Sequence, residues 1–160
     1  MRKALHTKPD YAEAYYTLGT VLKQQEKWAD AAVSLREAIR LEPELAGAHT
    51  TLAAVLRQTG DAEGAAAESR AGVALAKKTT DLQAAVAATN SGKRLMNAGD
   101  LDAAISQFRS AIASTLGYAH AHYQLGVALQ RKGEREEANK ELQKAAELEA
   151  ETKPARQPNP

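Results

Sequence analysis

The chain has 160 residues, of which 44% are hydrophobic but only 4% aromatic, and its 21 basic and 20 acidic residues give a formal net charge of +1. The absence of cysteine excludes disulfides, thiolate metal sites and a cysteine nucleophile. A balanced charge gives no overall attraction to nucleic acid or to an anionic membrane, and no apolar run is long enough to span one, so we expect a soluble, cytoplasmic protein without either partner.

A pattern of 34 residues recurs along the chain. Residues 12–22 and 119–129 are identical at six of eleven positions, and Leu-Gly lies at the same place in both. The second half of the pattern repeats a small, a large and a small residue, as in Ala104, Phe108 and Ala111. The period and this order of residue types resemble the tetratricopeptide repeat over about residues 1 to 151.

The resemblance implies an all-α fold, a right-handed α-α superhelix of four helix-turn-helix repeats with a partial N-terminal repeat and a C-terminal tail. It predicts a single solenoid domain over residues 1–151, with repeats at about 12–45, 46–79, 85–118 and 119–151. The eight predicted helices lie roughly at 10–25, 28–41, 44–58, 61–77, 81–97, 101–114, 118–131 and 134–151.

The N-terminal segment matches the end of a repeat. Residues 2–9 lie 34 positions before residues 36–43, and the two segments share Arg, Ala and Pro at equivalent positions. We therefore interpret residues 1–11 as the remnant of a preceding repeat. The missing remainder would leave the first helix without a polar cap, and the chain would then be a fragment of a longer protein.

Three turns inside the hairpins carry a glycine followed by an acidic residue: Gly60-Asp61, Gly99-Asp100 and Gly133-Glu134. Glycine takes the left-handed conformation that ends a helix, and an acidic residue suits the start of the next one. The first repeat has Glu26-Lys27 instead, so its turn is less well specified.

The spacing between the second and third repeats is 39 residues instead of 34. The additional residues fall around 77–81, where we predict a longer loop or extended helix ends. Beyond the last repeat, the composition of residues 152–160 is typical of a disordered tail.

The first helix of each pair lines a concave groove in such solenoids, and the resemblance implies that a partner binds there as an extended or short helical peptide. The residues predicted to line the groove are Tyr16, Thr20, Lys23, Gln24, Thr50, Arg57, Gln58, Thr89, Asn90, Lys93, Met96, Asn97, Tyr123, Gln124, Gln130 and Arg131.

These residues suggest how a peptide would be held. A polar row, formed by Thr17, Thr51, Asn90 and Gln124, would hydrogen-bond the peptide backbone. Tyr16 and Tyr123 would contact the ligand, and the lysines and arginines of the groove would attract acidic groups on it. The alternative is that all of them are ordinary solvated residues on helix faces.

No catalytic or metal site is predicted, and no cofactor. The chain has no phosphate-binding Gly-Lys loop. His49 and His122 occupy a position where side chains pack between helices, so we expect structural roles for both. Glu136 and Glu137 lie on a solvated helix and are interpreted as surface charge.

Three functions fit these observations. The first is a non-catalytic scaffold that binds a protein or peptide partner, preferentially an acidic one, in the groove. The second is an accessory region that positions substrates for a larger enzyme, such as a glycosyltransferase. The third is self-association through the uncapped N-terminal end, near Leu5, Tyr11 and Tyr15.

Overall fold

The computed structural model describes residues 9–152, with side chains from Tyr11 onward, and contains only α-helices and their connections in that range. The all-α class predicted from the sequence is therefore confirmed. The chain divides after Lys78 into two compact units, called unit 1 and unit 2 below. The seven helices are α1 Pro9–Gln24, α2 Trp28–Leu41, α3 Ala46–Gln58, α4 Ala62–Asn97, α5 Leu101–Ser114, α6 Ala119–Lys132 and α7 Arg135–Thr152.

Helix α4 differs from the prediction. It continues for 36 residues without interruption. Of the two outcomes expected around 77–81, the longer loop is therefore wrong, while the helix ends are extended so far that two predicted helices are one. Residues 77–81 are Lys-Lys-Thr-Thr-Asp, which include neither glycine nor proline. Nothing in this segment therefore removes a backbone donor or strongly disfavours helical dihedral angles. The other six helices lie within about two residues of their predicted positions.

The core of unit 1 lies where α2 packs on α1 and α3. Leu35 is fully buried, and Leu52 and Val55 of α3 are at most 1% exposed. Helices α1 and α2 approach closely because Gly19 has no side chain, since a Cβ there would lie 2.6 Å from Leu35 Cγ. The prediction that this position is small to allow close packing is confirmed.

Unit 2 contains the same close packing at a glycine in two places. A Cβ on Gly92 would lie 2.5 Å from Phe108 Cε1, and one on Gly126 would lie 2.7 Å from Leu142 Cγ. Phe108 is fully buried, and it belongs to a cluster formed with Leu125 and other apolar residues of α4, α5, α6 and α7. A glycine on one helix thus faces a large apolar side chain on the next.

The hairpin turns also agree with the sequence. Gly60, Gly99 and Gly133 all have positive φ, between 83° and 94°. Asp61 Oδ1 accepts a hydrogen bond from the Gly64 amide at 2.8 Å, so its carboxylate caps the start of a helix as expected. In the first turn the left-handed residue is Glu26, with φ of 58°.

Replacing Glu26 by Gly is expected to raise the free energy of unfolding by about 1 kcal/mol, because a residue with a Cβ is strained in the left-handed conformation. Trp28, the single tryptophan of the chain, is two residues away, so its fluorescence in a urea titration reports on unit 1. The reverse change, Gly60→Glu, serves as the matched control and should lower the free energy by a similar amount. Equal stability of all three proteins would contradict the prediction.

Some predictions lie outside the described residues. They concern residues 1–8, which are most of the predicted N-terminal remnant, and the predicted tail from residue 153 onward. Thr152, the first residue of the predicted tail, is the last residue of α7. The assignment of residues 1–151 to a single domain remains a prediction.

Candidate peptide-binding surface

In unit 1 the first helices of the two repeats, α1 and α3, are in contact with each other. Their exposed or half-buried polar residues form what we call surface 1. Lys23 lies in the last turn of α1 and Arg57 in the last turn of α3. The predicted residues on this surface are Thr20, Lys23, Gln24, Thr50, Arg57 and Gln58.

Tyr16 was predicted to line the groove, but the structure places its side chain partly inside unit 1. It is half-buried and packs against the apolar core of unit 1. Its hydroxyl oxygen lies where a Cβ on Gly47 would be only 3.0 Å away, so the ring covers the backbone of α3. The missing side chain on Gly47 leaves room for the ring against the neighbouring helix, so Tyr16 is only partly accessible, and its contact with a ligand stays a prediction.

In unit 2 the corresponding helices are the second part of α4, residues 82–97, and α6. Both contribute to a small apolar cluster, which contains Ala85 of α4, Ala111 of α5 and Ala121 of α6. Tyr123 is 49% exposed, and no helix in the described part of the chain covers it as α3 covers Tyr16. The exposed predicted residues, called surface 2, are Asn90, Lys93, Asn97, Tyr123, Gln130 and Arg131.

Three predicted groove residues of unit 2 are buried. Thr89 is 1% exposed, and its hydroxyl donates to the Ala85 carbonyl at 2.8 Å. Met96 is 8% exposed within the cluster around Phe108, and Gln124 is also 8% exposed. Their burial removes all three from the surface that a ligand can reach.

The hydroxyls on surface 1 are already engaged. Thr20 Oγ1 donates to the Tyr16 carbonyl at 2.9 Å, and Thr50 Oγ1 donates to the Gly47 carbonyl at 3.1 Å. Each threonine therefore offers a ligand an acceptor oxygen, while its donor is bound to its own helix. The predicted polar row is uneven as well, since Thr17 and Asn90 are exposed but Gln124 is buried.

Four cations on these surfaces lie apart from the carboxylates of the described residues. Within the described part of the chain, no carboxylate lies within ion-pair distance of Lys23, Arg57, Lys93 or Arg131. Lys132 is different, because it contacts Asp102 and Glu134, each at 2.8 Å. Hydrogen bonds to these two carboxylates raise the pKa of Lys132, and its charge is compensated.

The distribution of acidic residues is a signal that the motif-based prediction missed. Helices α3 and α6 contain neither Asp nor Glu, and α4 contains none between Leu82 and Asn97. In α1 both acidic residues, Asp10 and Glu13, lie near its start. The carboxylates are concentrated on the second helices and in the turns, so surfaces 1 and 2 are positive although the chain is almost neutral. Several of these cations lie in the last turn of a helix, where they also interact favourably with the helix dipole.

Two histidines form the same bridge in the two units. In unit 1, His49 Nδ1 lies 2.6 Å from Glu68 Oε2 and Nε2 lies 2.9 Å from the Pro43 carbonyl. In unit 2, His122 lies 2.6 Å from Glu141 Oε2 and 3.2 Å from the Leu116 carbonyl. Each ring thus connects its own helix both to the following helix and to the turn that precedes its own helix. This confirms the structural role predicted for both histidines.

Among residues 9–152, no group of three or more His, Asp or Glu side chains is arranged to hold a metal ion. No helix in the same range combines the length and the apolar character needed to cross a membrane.

Comparison with known proteins places the repeats in a family. Two family models, both described as tetratricopeptide repeat, match residues 12–45 and residues 89–160. No curated protein matches the sequence significantly.

Among solved structures the chain is similar to MamA, with 27% identity, 93% of this chain and 84% of that chain covered, and a TM-score of 0.41. A second is YrrB, described as a TPR protein with an unusual peptide-binding site, with 29% identity, coverage of 88% and 70%, and a TM-score of 0.41. A third is MamA from Desulfovibrio magneticus RS-1, with 22% identity, coverage of 93% and 80%, and a TM-score of 0.43.

Proposed function

Because this chain belongs to the tetratricopeptide repeat family, we propose that it is a non-catalytic protein-interaction scaffold that binds a peptide segment of its partner on surfaces 1 and 2. The observation that carries this proposal is the uncompensated positive charge on helices that contain almost no carboxylate. An open, polar helix face with unpaired cations offers donors to a ligand that supplies the missing carboxylates.

The partner segment is acidic. Lys23 and Arg57 on surface 1, and Lys93 and Arg131 on surface 2, are separate points of positive charge that a peptide with spaced Asp or Glu residues would neutralise. On surface 2 the half-exposed ring of Tyr123 adds an apolar contact beside these charges. Tyrosine suits this role because it supplies a large contact area with few rotatable bonds.

Selection from a random-peptide library on the immobilised full chain tests this function. We expect the enriched peptides to be rich in Asp and Glu. The variants Arg57→Glu and Arg131→Glu should each weaken binding of peptides specific for their surface by about tenfold, equivalent to about 1.4 kcal/mol. Because the attraction is between exposed charges, raising the salt concentration should weaken binding to the wild-type chain too. Fluorescence anisotropy with labelled peptides measures both effects.

Matched charge reversals on second helices serve as controls. Arg36→Glu on α2 and Lys140→Glu on α7 change the net charge equally, and both side chains are exposed. If these variants weaken binding as much as Arg57→Glu and Arg131→Glu do, the ligand responds to overall charge and the assignment to surfaces 1 and 2 is wrong. Enrichment of peptides without excess acidic residues would contradict the acidic preference alone.

A further inference from the structure

Among the described residues, helix α1 exposes an apolar face, whereas the equivalent helices α3 and α6 bury theirs. Tyr11, Tyr15 and Leu18 follow one another at helical spacing and are 62%, 36% and 48% exposed. Val21, on the flank of this face, is 42% exposed. Single exposed apolar residues are ordinary, but a run of four over three turns of one helix is not. We call these four residues the α1 face.

The internal repeat shows what normally covers such a face. The residues of α3 equivalent to Leu18 and Val21 are Leu52 and Val55, which are 1% and 0% exposed beneath α2. In α6 the residue equivalent to Leu18 is Leu125, which is 2% exposed in a cluster with residues of α5. In both units, therefore, a second helix of a hairpin covers this face of a first helix.

The covering helices share an apolar pair seven residues apart. In α5 the pair is Ile105 and Ile112, and in α2 it is Ala32 and Ile39. Ile105 is 4% and Ala32 is 6% exposed, while the other member of each pair is partly buried against the same cluster. A helix that packs on the α1 face should therefore present two small or aliphatic side chains seven residues apart.

The chain itself carries such a pair that is not covered. The equivalent residues in the first part of α4 are Ala66 and Val73, both exposed, Val73 by 63%. Arg70 lies between them, but arginine also holds the equivalent position in the two covering helices, at Arg36 and Arg109. We call Ala66, Arg70 and Val73 the α4 face.

The last helix does not offer an equivalent surface. Its residues at these positions are Asn139 and Ala146, both exposed. Asn139 puts an amide where α2 and α5 place an apolar side chain, and burying that amide without a partner would cost free energy. Of the second helices in the described residues, only α4 presents an uncovered apolar pair.

We propose that copies of this chain associate head to tail through unit 1, with the α1 face of one copy packing on the α4 face of the next. The contact reproduces between two molecules the packing that joins α2 to α3 within unit 1. It uses two different patches, so a bound copy still offers one free face to a further copy, and successive addition gives an open filament or a closed ring. The inference is independent of peptide binding, because neither face includes a residue of surface 1 or surface 2.

Sedimentation velocity of the full chain over a range of concentrations tests the proposal. The wild-type sedimentation coefficient should rise with concentration. Leu18→Glu damages only the α1 face and Val73→Lys damages only the α4 face, and each side chain is exposed enough for folding to persist. Each variant alone should weaken association by at least about tenfold, which corresponds to about 1.4 kcal/mol.

Mixing the two variants gives the decisive result. Each retains the face that the other has lost, so an equimolar mixture should form one-to-one dimers and nothing larger. Leu116→Lys in unit 2, where the side chain is 76% exposed, is the control and should associate like the wild type. A wild-type chain that stays monomeric overturns the proposal, as does a mixture that stays monomeric or a control that loses association. If only Leu18→Glu has an effect, two α1 faces pair with each other and the head-to-tail contact is wrong.

Discussion

Replacing Phe108 by Ala should lower the free energy of unfolding by about 3–5 kcal/mol, the largest effect expected for a single substitution in this chain. The ring is fully buried between helices of unit 2 and fills the space opposite Gly92. Removing it deletes apolar contacts and leaves a cavity that tightly packed helices close only in part. Denaturant unfolding followed by circular dichroism measures the loss.

A second substitution tests whether Gly92 and Phe108 are complementary. In the wild-type chain a methyl group at residue 92 would meet the ring at 2.5 Å, so Gly92→Ala should be destabilising despite the better helix propensity of alanine. In the Phe108→Ala background the methyl enters the cavity, and the same change should be neutral or stabilising by about 1 kcal/mol. The predicted packing is wrong if Gly92→Ala has the same effect in both backgrounds. Leu116→Ala, at an exposed position of the same unit, should change stability by less than about 0.5 kcal/mol.

The second large effect concerns the histidine bridge of unit 2. His122→Ala should lower the free energy of unfolding by about 2–3 kcal/mol, because it leaves both the Glu141 carboxylate and the Leu116 carbonyl without their partner. His122 is 8% exposed, so water replaces the lost contacts only in part.

A double-mutant cycle of His122→Ala and Glu141→Ala isolates the pair, with an expected coupling of about 1–2 kcal/mol. The His49–Glu68 pair of unit 1 has the same 2.6 Å contact and should give a similar coupling. His120 is exposed and makes an edge contact with the Tyr118 ring at 6.1 Å, so His120→Ala is the control and should cost less than about 1 kcal/mol. Additive losses in both cycles would show that the two histidines do not stabilise their units through the Glu68 and Glu141 carboxylates.

Local patterns in the sequence predicted the hairpins because their causes are local. A glycine after a helix permits the left-handed turn, as at Gly60, and an aspartate after it caps the next helix, as Asp61 does. The 34-residue period likewise predicted which residues meet inside a hairpin, such as Gly92 and Phe108. These features depend on a few neighbouring residues, so they can be recognised without knowing the rest of the fold.

The predicted groove depended on a different kind of information. Tyr16, Thr89 and Met96 occupy positions that face outward in the repeat pattern, yet each is packed against a neighbouring helix. Whether such a side chain is open or covered depends on the size of residues on another helix, as Gly47 shows for Tyr16. A pattern within one repeat does not contain that information. The sequence also shows that carboxylates are rare on the first helices. That this makes surfaces 1 and 2 positive becomes clear only when the structure shows which helices form each surface.

The sequence by itself determined the family, the all-α class and the close pairing of helices, because small residues, turn glycines and apolar periodicity act over short distances along the chain. Only the tertiary structure decided that α4 continues through residues 77–81, since no residue there either forces or forbids a turn. It also decided which predicted contact residues are buried and, within residues 9–152, that the α1 and α4 faces are exposed. Exposure is a property of what packs on a residue, and packing partners lie far apart in the sequence.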